Sequence, residues 1–317
     1  MPKVSVIIPV YGVEKYIERC ARSLFEQTLN DIEFIFVNDY TPDNSIDILK
    51  NTLSKYPNRK YQVRIINQPL NMGAAQARKN GILAATGEFV IQCDSDDWVA
   101  PNMYYDMLKQ AELTGADIVM CRKINMSDGV HHNTITDTIY KDKWQMISLI
   151  ISGKTSVSLC CRLVKKQLFL DNRFIFPPSH MKEDTVISTQ LAYLSNTTAV
   201  VDGPYYYYFN NPNSICQSIT EDACLRRWSE SKKNTDVLIK FLQQEKLQIR
   251  YKQELTILKF QIKGFLLPLL KSDLKYWKEW MNTYPEINIS TLFNRRIPMG
   301  LRLVHLLTLF RIYHFKK

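Results

Sequence analysis

Between residues 4 and 124 the sequence alternates short apolar runs, rich in β-branched residues, with helix-length amphipathic stretches. Few folds satisfy that alternation. Val4 to Val10, Glu33 to Val37, Tyr61 to Ile66, Glu88 to Gln92 and Asp117 to Ile124 read as buried strands. Val13 to Gln27, Asp43 to Tyr56, Asn71 to Ala85 and Pro101 to Thr114 read as the helices between them. Strands joined by single helices pair in parallel through right-handed crossovers. The expected class is therefore α/β, with a mostly parallel central sheet flanked by helices.

The 317 residues, 45% of them hydrophobic, can bury a core without disulfides or structural metal. The seven cysteines show no Cys-x-x-Cys spacing and read as reduced thiols, mostly in the core. The chain opens directly into a strand, with no secretory-signal pattern, and holds no apolar run long enough to span a bilayer. A cytoplasmic protein is expected. Beyond the alternating region, Asn125 to Lys143 reads as a polar excursion and Trp144 to Ile151 as a short helix. Val157 to Leu170 reads as a strand and turn near the substrate cleft. From about Asp222 the composition becomes helical. The expected division is 1–98, 99–221 and a helical C-terminal region over 222–317.

An open α/β sheet binds ligands beyond the C-terminal ends of its strands. Four polar clusters fall there: Pro9-Val10-Tyr11, Asn38-Asp39, Gln68 to Gly73, and Asp94-Ser95-Asp96-Asp97. Neither Gly-x-Gly-x-x-Gly nor Gly-x-x-x-x-Gly-Lys-Ser/Thr occurs, which disfavours a dinucleotide fold and a P-loop ATPase. Carboxylates repel phosphates unless a cation lies between them. Mg2+ or Mn2+ held by one or two carboxylates and a diphosphate resolves that conflict. Asp94 and Asp96 could divide the work, one touching a ribose and the other the ion; an acidic turn capping the next helix explains the same residues. Asp39 could accept from a pyrimidine ring N–H, or cap a turn. Arg78, in the small-residue helix, could brace the acidic loop, contact substrate or be solvated.

As a set, Val4-Ser5-Val6-Ile7-Ile8-Pro9-Val10-Tyr11, Val37-Asn38-Asp39, Asn71-Met72-Gly73 with Ala77-Arg78-Asn80-Gly81, and Asp94-Ser95-Asp96-Asp97 resemble the family 2 glycosyltransferases of GT-A fold. The resemblance is dense over residues 1–120, resumes around 180–215 and fades afterwards. It implies a nucleotide-sugar donor, usually UDP-linked, and an inverting transfer. By that resemblance Pro9, Tyr11 and Asp39 line the base and ribose pocket, with Arg78, Asp94 and Ser95 on the nucleotide and Asp96 as the chief metal ligand. The family often shows Asp-Asp-Gly-Ser after its second strand. Here Asn38-Asp39-Tyr40-Thr41 keeps the second carboxylate and puts Tyr40 in place of glycine, so a different loop shape is expected.

An inverting transfer needs a base on the acceptor side. Glu183-Asp184 resembles the family's Glu-Asp signature, in which the aspartate is the base; both acids would also favour the N-terminus of the helix that follows. Asp97, Trp98 and His180 are candidate contacts to acceptor or donor sugar. Tyr205 to Tyr208 would alternate between core and cleft. Family members often carry a basic residue there, but Tyr207 and Tyr208 occupy the region here, so diphosphate neutralisation is expected to lean on the metal and on a loop around Asn213-Ser214.

The net charge of +10 admits nucleic acid, an anionic membrane or an anionic substrate. Acids cluster where a strand-end ligand would bind, so no nucleic acid is expected. Residues 299–317 read as a basic amphipathic helix: Leu303, Leu306, Leu307, Phe310 and Tyr313 line one side, and Arg302, His305, Arg311 and His314 interrupt the other. It could lie on the inner face of the cytoplasmic membrane beside a lipid-linked saccharide acceptor, or pack on the protein or on a second subunit of a homo-oligomer. A sugar-phosphate nucleotidyltransferase is the nearest rival enzyme; it would use a Gly-rich basic loop after the first strand, which Pro9-Val10-Tyr11-Gly12 does not supply. The setting implied by the resemblance is bacterial capsule, exopolysaccharide or lipopolysaccharide synthesis.

Overall fold

A computed structural model of the chain describes residues 1–127, 130–135, 140–210 and 220–312. The elements in chain order are β1 (Val4–Val10), α1 (Ile17–Phe25), β2 (Ile32–Asn38), α2 (Ser45–Ser54), β3 (Val63–Asn67), α3 (Ala74–Ala84), β4 (Phe89–Gln92), β5 (Trp98–Val99), α4 (Met103–Thr114), β6 (Ile118–Ser127) and β7 (Val130–Ile135). They continue as α5 (Lys143–Ile151), β8 (Arg162–Lys165), α6 (Glu183–Leu194), β9 (Thr198–Phe209), α7 (Glu221–Gln244), α8 (Lys252–Gly264), α9 (Leu274–Asn282), α10 (Ile287–Phe293) and α11 (Met299–Leu309). The chain divides into two compact units. One holds Met1–Ile139, Ser156–Pro178 and Gln190–Pro212; the other holds Tyr140–Thr155, Ser179–Thr189 and Asn213–Lys317.

The first unit contains the sheet, in the order β3-β2-β1-β4-β8-β6-β9-β5, with β7 on β6. The four strands at the β3 end are all parallel, as expected. Beyond β4 the sheet becomes mixed. β8 is antiparallel to both β4 and β6, β9 is parallel to β6, and β5 is antiparallel to β9. The segment Val157 to Leu170 supplies the expected strand, β8, in the middle of the sheet. One expectation is corrected here. The polar stretch after Ile124 forms a hairpin in which β6 runs on to Ser127 and pairs with β7. Its polar residues obscure the strand period because hairpin pairing is set by a partner, not by burial.

β1 lies between two parallel neighbours, so its run Val4-Ser5-Val6-Ile7-Ile8 is buried throughout. Phe25 on α1 meets Phe34 and Phe36 edge-on, at centroid distances of 5.8 and 6.2 Å. On the other face α3 sits very close to the sheet. A Cβ on Gly81 would lie 2.3 Å from Ile7 Cγ2, so the small residues of this helix are required by its approach.

The second unit is helical apart from its loops. Asp142 accepts from the Gln145 amide at 2.8 Å and caps α5; the Thr220 and Asp273 side chains likewise cap α7 and α9. Glu254 on α8 accepts from the Ser148 hydroxyl at 2.6 Å and from Arg296. Among the described residues no helix is long and apolar enough to cross a membrane, and all six cysteines are buried and outside any disulfide.

Candidate active site

The loops at the C-terminal rim of the parallel strands are tied together by carboxylates. Asp43 accepts from the hydroxyls of Ser45 (2.6 Å) and Thr41 (2.7 Å) and from the backbone of Glu14 (2.9 Å), which joins the loop after β1 to the loop after β2. Burial works against its charge, but these bonds win and hold its carboxyl below the usual range. Between them Asn38 caps the turn: its side-chain oxygen accepts from the Thr41 amide at 2.9 Å, and its amide donates to Asn67 at 2.9 Å. Tyr40 stands at φ 58°, the left-handed region glycine enters at least cost. The tyrosine side chain projects from that turn, 63% exposed.

Asp39 is buried, and both its oxygens are engaged. Oδ1 accepts from Gln68 Nε2 (2.5 Å) and the Met72 amide (2.7 Å); Oδ2 accepts from the Gly73 amide (2.9 Å). Gly73 precedes α3 at φ 85°, so Asp39 anchors the start of that helix. Asn80, two turns further in, donates to Gln68 Oε1 at 2.6 Å and completes the chain of contacts. Three of the four expected clusters are thus joined by hydrogen bonds. Tyr11 is half exposed at the rim.

The acidic loop after β4 sorts its three aspartates by environment. Asp94 meets buried Arg78 on α3 at 2.8 Å, the bracing role among those expected for that arginine. Asp97 is fully buried: Oδ2 accepts from the Tyr206 hydroxyl at 2.6 Å and Oδ1 from the Phe209 amide at 2.7 Å. Burial, together with the Asp94 and Asp96 charges, pushes its carboxyl well above the usual range. Such a group has no surface left for a sugar, so Asp97 fastens the loop to β9 instead of making the expected contact. Asp96 keeps a partly exposed side chain, while its carbonyl accepts from Arg19 Nη2 at 2.7 Å. Ser95 is buried.

Trp98 begins β5 and stacks on Tyr207 of β9 at 5.4 Å and 7°. The Arg19 guanidinium lies 3.9 Å from the Trp98 ring centroid. Trp98, Tyr207 and Arg19 help line an open groove of about 650 Å3 along α1. Of the four tyrosines of β9, Tyr206 alone is fully buried, and its hydroxyl also accepts from the Asp94 amide at 3.1 Å. Sequence reasoning missed Arg19 and Tyr206 as organisers of the loop. The alternating pattern of the tyrosine run signals one inward ring but not its partner. Tyr206→Phe leaves the Asp97 Oδ2 and the Asp94 amide short of one bond each. We expect it to cost roughly 1–3 kcal/mol, read as a lower urea midpoint with unchanged slope.

In the second unit, Glu183 and Asp184 occupy the first turn of α6, where the helix N-terminus favours negative charge. Glu183 is buried and Asp184 half-buried. The preceding segment is strapped down by α7: Asn234, itself fully buried, donates to the carbonyls of Ser179 (2.5 Å) and Met181 (2.7 Å) and accepts from the Ser179 amide. Glu230 accepts from the Met181 amide at 3.2 Å. Lys182 sits at φ 63° and donates to Gln261 at 3.0 Å. The His180 ring lies 3.6 Å from the Glu183 carboxylate. Sequence reasoning missed Asn234, whose α7 pattern gives no sign of a tertiary partner. The expected loop at Asn213-Ser214 lies outside the described residues.

Among the described residues, no three or more His, Cys, Asp or Glu side chains converge to hold a metal alone. A divalent ion shared with a diphosphate needs fewer protein ligands. Asp96, an oxygen donor at the rim with a partly exposed side chain, fits that arrangement.

Residues 5–170, just over half of the chain, match the family model described as Glycosyl transferase family 2. The chain belongs to that family. Glycosyltransferase EpsJ of Bacillus subtilis is 44% identical to this family 2 glycosyltransferase over 121 residues, 38% of this chain and 34% of EpsJ. The chain thus spans about a third of that relative's length. Among solved structures, S. aureus TarS 1–349 in complex with UDP aligns with 98% of this chain and 88% of its own, at a TM-score of 0.69 and 21% identity. The same TarS segment is also solved with UDP-GlcNAc. The mannosyltransferase PcManGT from Pyrobaculum calidifontis, in complex with GDP-Man and Mn2+, covers 98% of this chain and 87% of its own at a TM-score of 0.54 and 13% identity. At these identities the structural matches establish the GT-A fold of the enzyme.

Proposed function

We propose that this chain transfers a sugar, with inversion, from a UDP-linked donor to a saccharide or lipid-linked saccharide in the synthesis of a bacterial surface polysaccharide. The observation that carries the reading is the sheet rim: Asp39, Asp94 and Asp96 stand at the C-terminal ends of β2 and β4, and Asp96 keeps a partly exposed side chain there. The UDP and UDP-GlcNAc complexes of TarS support the choice of base.

In this reading residues 1–98 hold the donor, 99–221 hold the acceptor and 222–317 form the helical appendage. Pro9, Tyr11 and Asp39 receive the base and ribose, Asp39 being pre-set by the three bonds that fix both its oxygens. Arg78, Asp94 and Ser95 keep the loop under the nucleotide, and Trp98 walls the sugar. Asp96 would hold Mn2+ or Mg2+; that ion, when bound, offsets charge on the departing diphosphate. The Mn2+ in the PcManGT complex supports this choice. Asp184 takes the proton of the attacking hydroxyl, with Glu183 and His180 beside it. The acceptor would be met at the inner face of the cytoplasmic membrane.

A panel of nucleotide sugars, read by binding and by slow donor hydrolysis with Mn2+, tests the reading. UDP-linked donors should bind at least about tenfold more tightly than GDP-linked ones, a difference of roughly 1.4 kcal/mol. Equal affinity for all bases would remove the assigned role of Asp39.

A further inference from the structure

Helix α11 packs Leu309 against the core around Trp280 yet turns other apolar side chains outward. Its two buried side chains are polar: His305 and Thr308 are each 1% exposed. The His305 ring donates from Nε2 to the Asn288 carbonyl at 2.9 Å, and Thr308 donates to the Val304 carbonyl at 2.8 Å. The Thr308 carbonyl accepts in turn from Trp277 Nε1 at 2.9 Å. Met299, Leu303, Leu306 and Phe310 recur at the spacing that puts them on one helical side. That side faces water, with Met299 78%, Leu303 54% and Phe310 68% exposed. Arg302 is half-buried and donates to the Leu292 carbonyl, and Arg311, past the end of the helix at φ 58°, is exposed with its guanidinium 5.4 Å from the Trp277 ring centroid. The neighbouring α10 exposes Ile289 and Phe293, and Arg295 in the connection is also exposed. Scattered exposed leucines are ordinary, but an apolar stripe kept outward while histidine and threonine are buried is not.

We propose that this face of α10 and α11 docks on an anionic lipid bilayer, with α11 lying in the interface. The charge decides the occupant. A second copy on a twofold axis would bring the same arginines together, whereas anionic headgroups meet them with opposite sign. An apolar stripe with exposed Arg295 before it and exposed Arg311 after it suits an interfacial helix, and eleven residues, about 16 Å of helix, cannot span a bilayer. The docking gives a lipid-linked acceptor a place to be met, and only that purpose rests on the transferase reading.

Flotation of the full chain with vesicles tests it, using phosphatidylcholine alone and an equimolar mixture with phosphatidylglycerol. Wild type should float with the anionic vesicles and little with the neutral ones. The L303E/F310E variant should lose on the order of tenfold in recovery or more, and R295Q/R311Q or added salt should lower it several-fold. All these side chains are exposed, so circular dichroism and UDP binding should be unchanged. Equal recovery of wild type and L303E/F310E would overturn the proposal. So would a wild-type dimer, seen by sedimentation, that L303E/F310E splits, because the face would then belong to a second copy. Lost flotation with intact UDP binding leaves the transferase reading standing; lost UDP binding with intact flotation does the reverse.

Discussion

Asp184→Ala should keep the affinity for UDP-sugar within about twofold and lower the transfer rate by roughly 10²–10⁴, the usual contribution of a positioned general base. The expectation rests on where the chain places this carboxylate. It sits half-buried in the first turn of α6, where helix-terminal amides favour the ionised form a base must hold. The segment leading to it is fixed by the three bonds of the fully buried Asn234 and by Glu230, so it is presented on a rigid mount. Glu183, though adjacent, is buried with its carboxylate 3.6 Å from the His180 ring, so in the proposed reading it positions and does not take the proton. Calorimetry for donor binding and product formation for transfer separate the two effects. An Asp184→Ala enzyme that transfers at the wild-type rate would assign the base to another residue.

Asp96→Ala should show opposite signs with and without metal. In Mn2+ the variant should bind UDP on the order of 100-fold more weakly, since a lost metal ligand costs at least as much as a lost outer partner. Without metal it should bind no worse than wild type, because a carboxylate that repels the diphosphate has been removed. Two unit charges about 4 Å apart interact by roughly 4 kcal/mol near a protein surface, so this repulsion is large enough to read. Asp94 and Asp97 cannot take over without releasing Arg78 or Tyr206. Titrations in Mn2+ and in EDTA supply the four affinities required. A variant that loses affinity equally in both conditions would mean that Asp96 supports the loop and holds no ion.

The parallel half of the sheet was legible because strands buried on both faces are nearly continuous in apolar residues, and β1, β2 and β4 are so apart from Ser5 and Glu33, which bond to each other, and the strand ends Asn38 and Gln92. Helix α3 was legible from its small residues, which Gly81 against Ile7 explains. Boundaries were harder. Val13 looks helical, but its carbonyl accepts from both Tyr16 and Ile17, so a turn precedes α1. Tyr61 looks like a strand residue yet belongs to the turn that Pro57 opens. The rim could be found from four polar clusters, whereas the partners that set each carboxylate's role could not. Asp97 and Tyr206 are 109 residues apart, and Asn234 reaches its carbonyls from a helix whose pattern records only its apolar side. Motif spacing names the acids at a site, but long-range contacts set the environment of each.

A structure of the chain with UDP-sugar and Mn2+ tests the central claim most directly. The account predicts an Asp96 carboxylate oxygen about 2.2 Å from the ion, diphosphate oxygens completing the shell, and Asp94 and Asp97 still on Arg78 and Tyr206. Density with Asp96 turned away and the diphosphate held by arginines and lysines alone would contradict it.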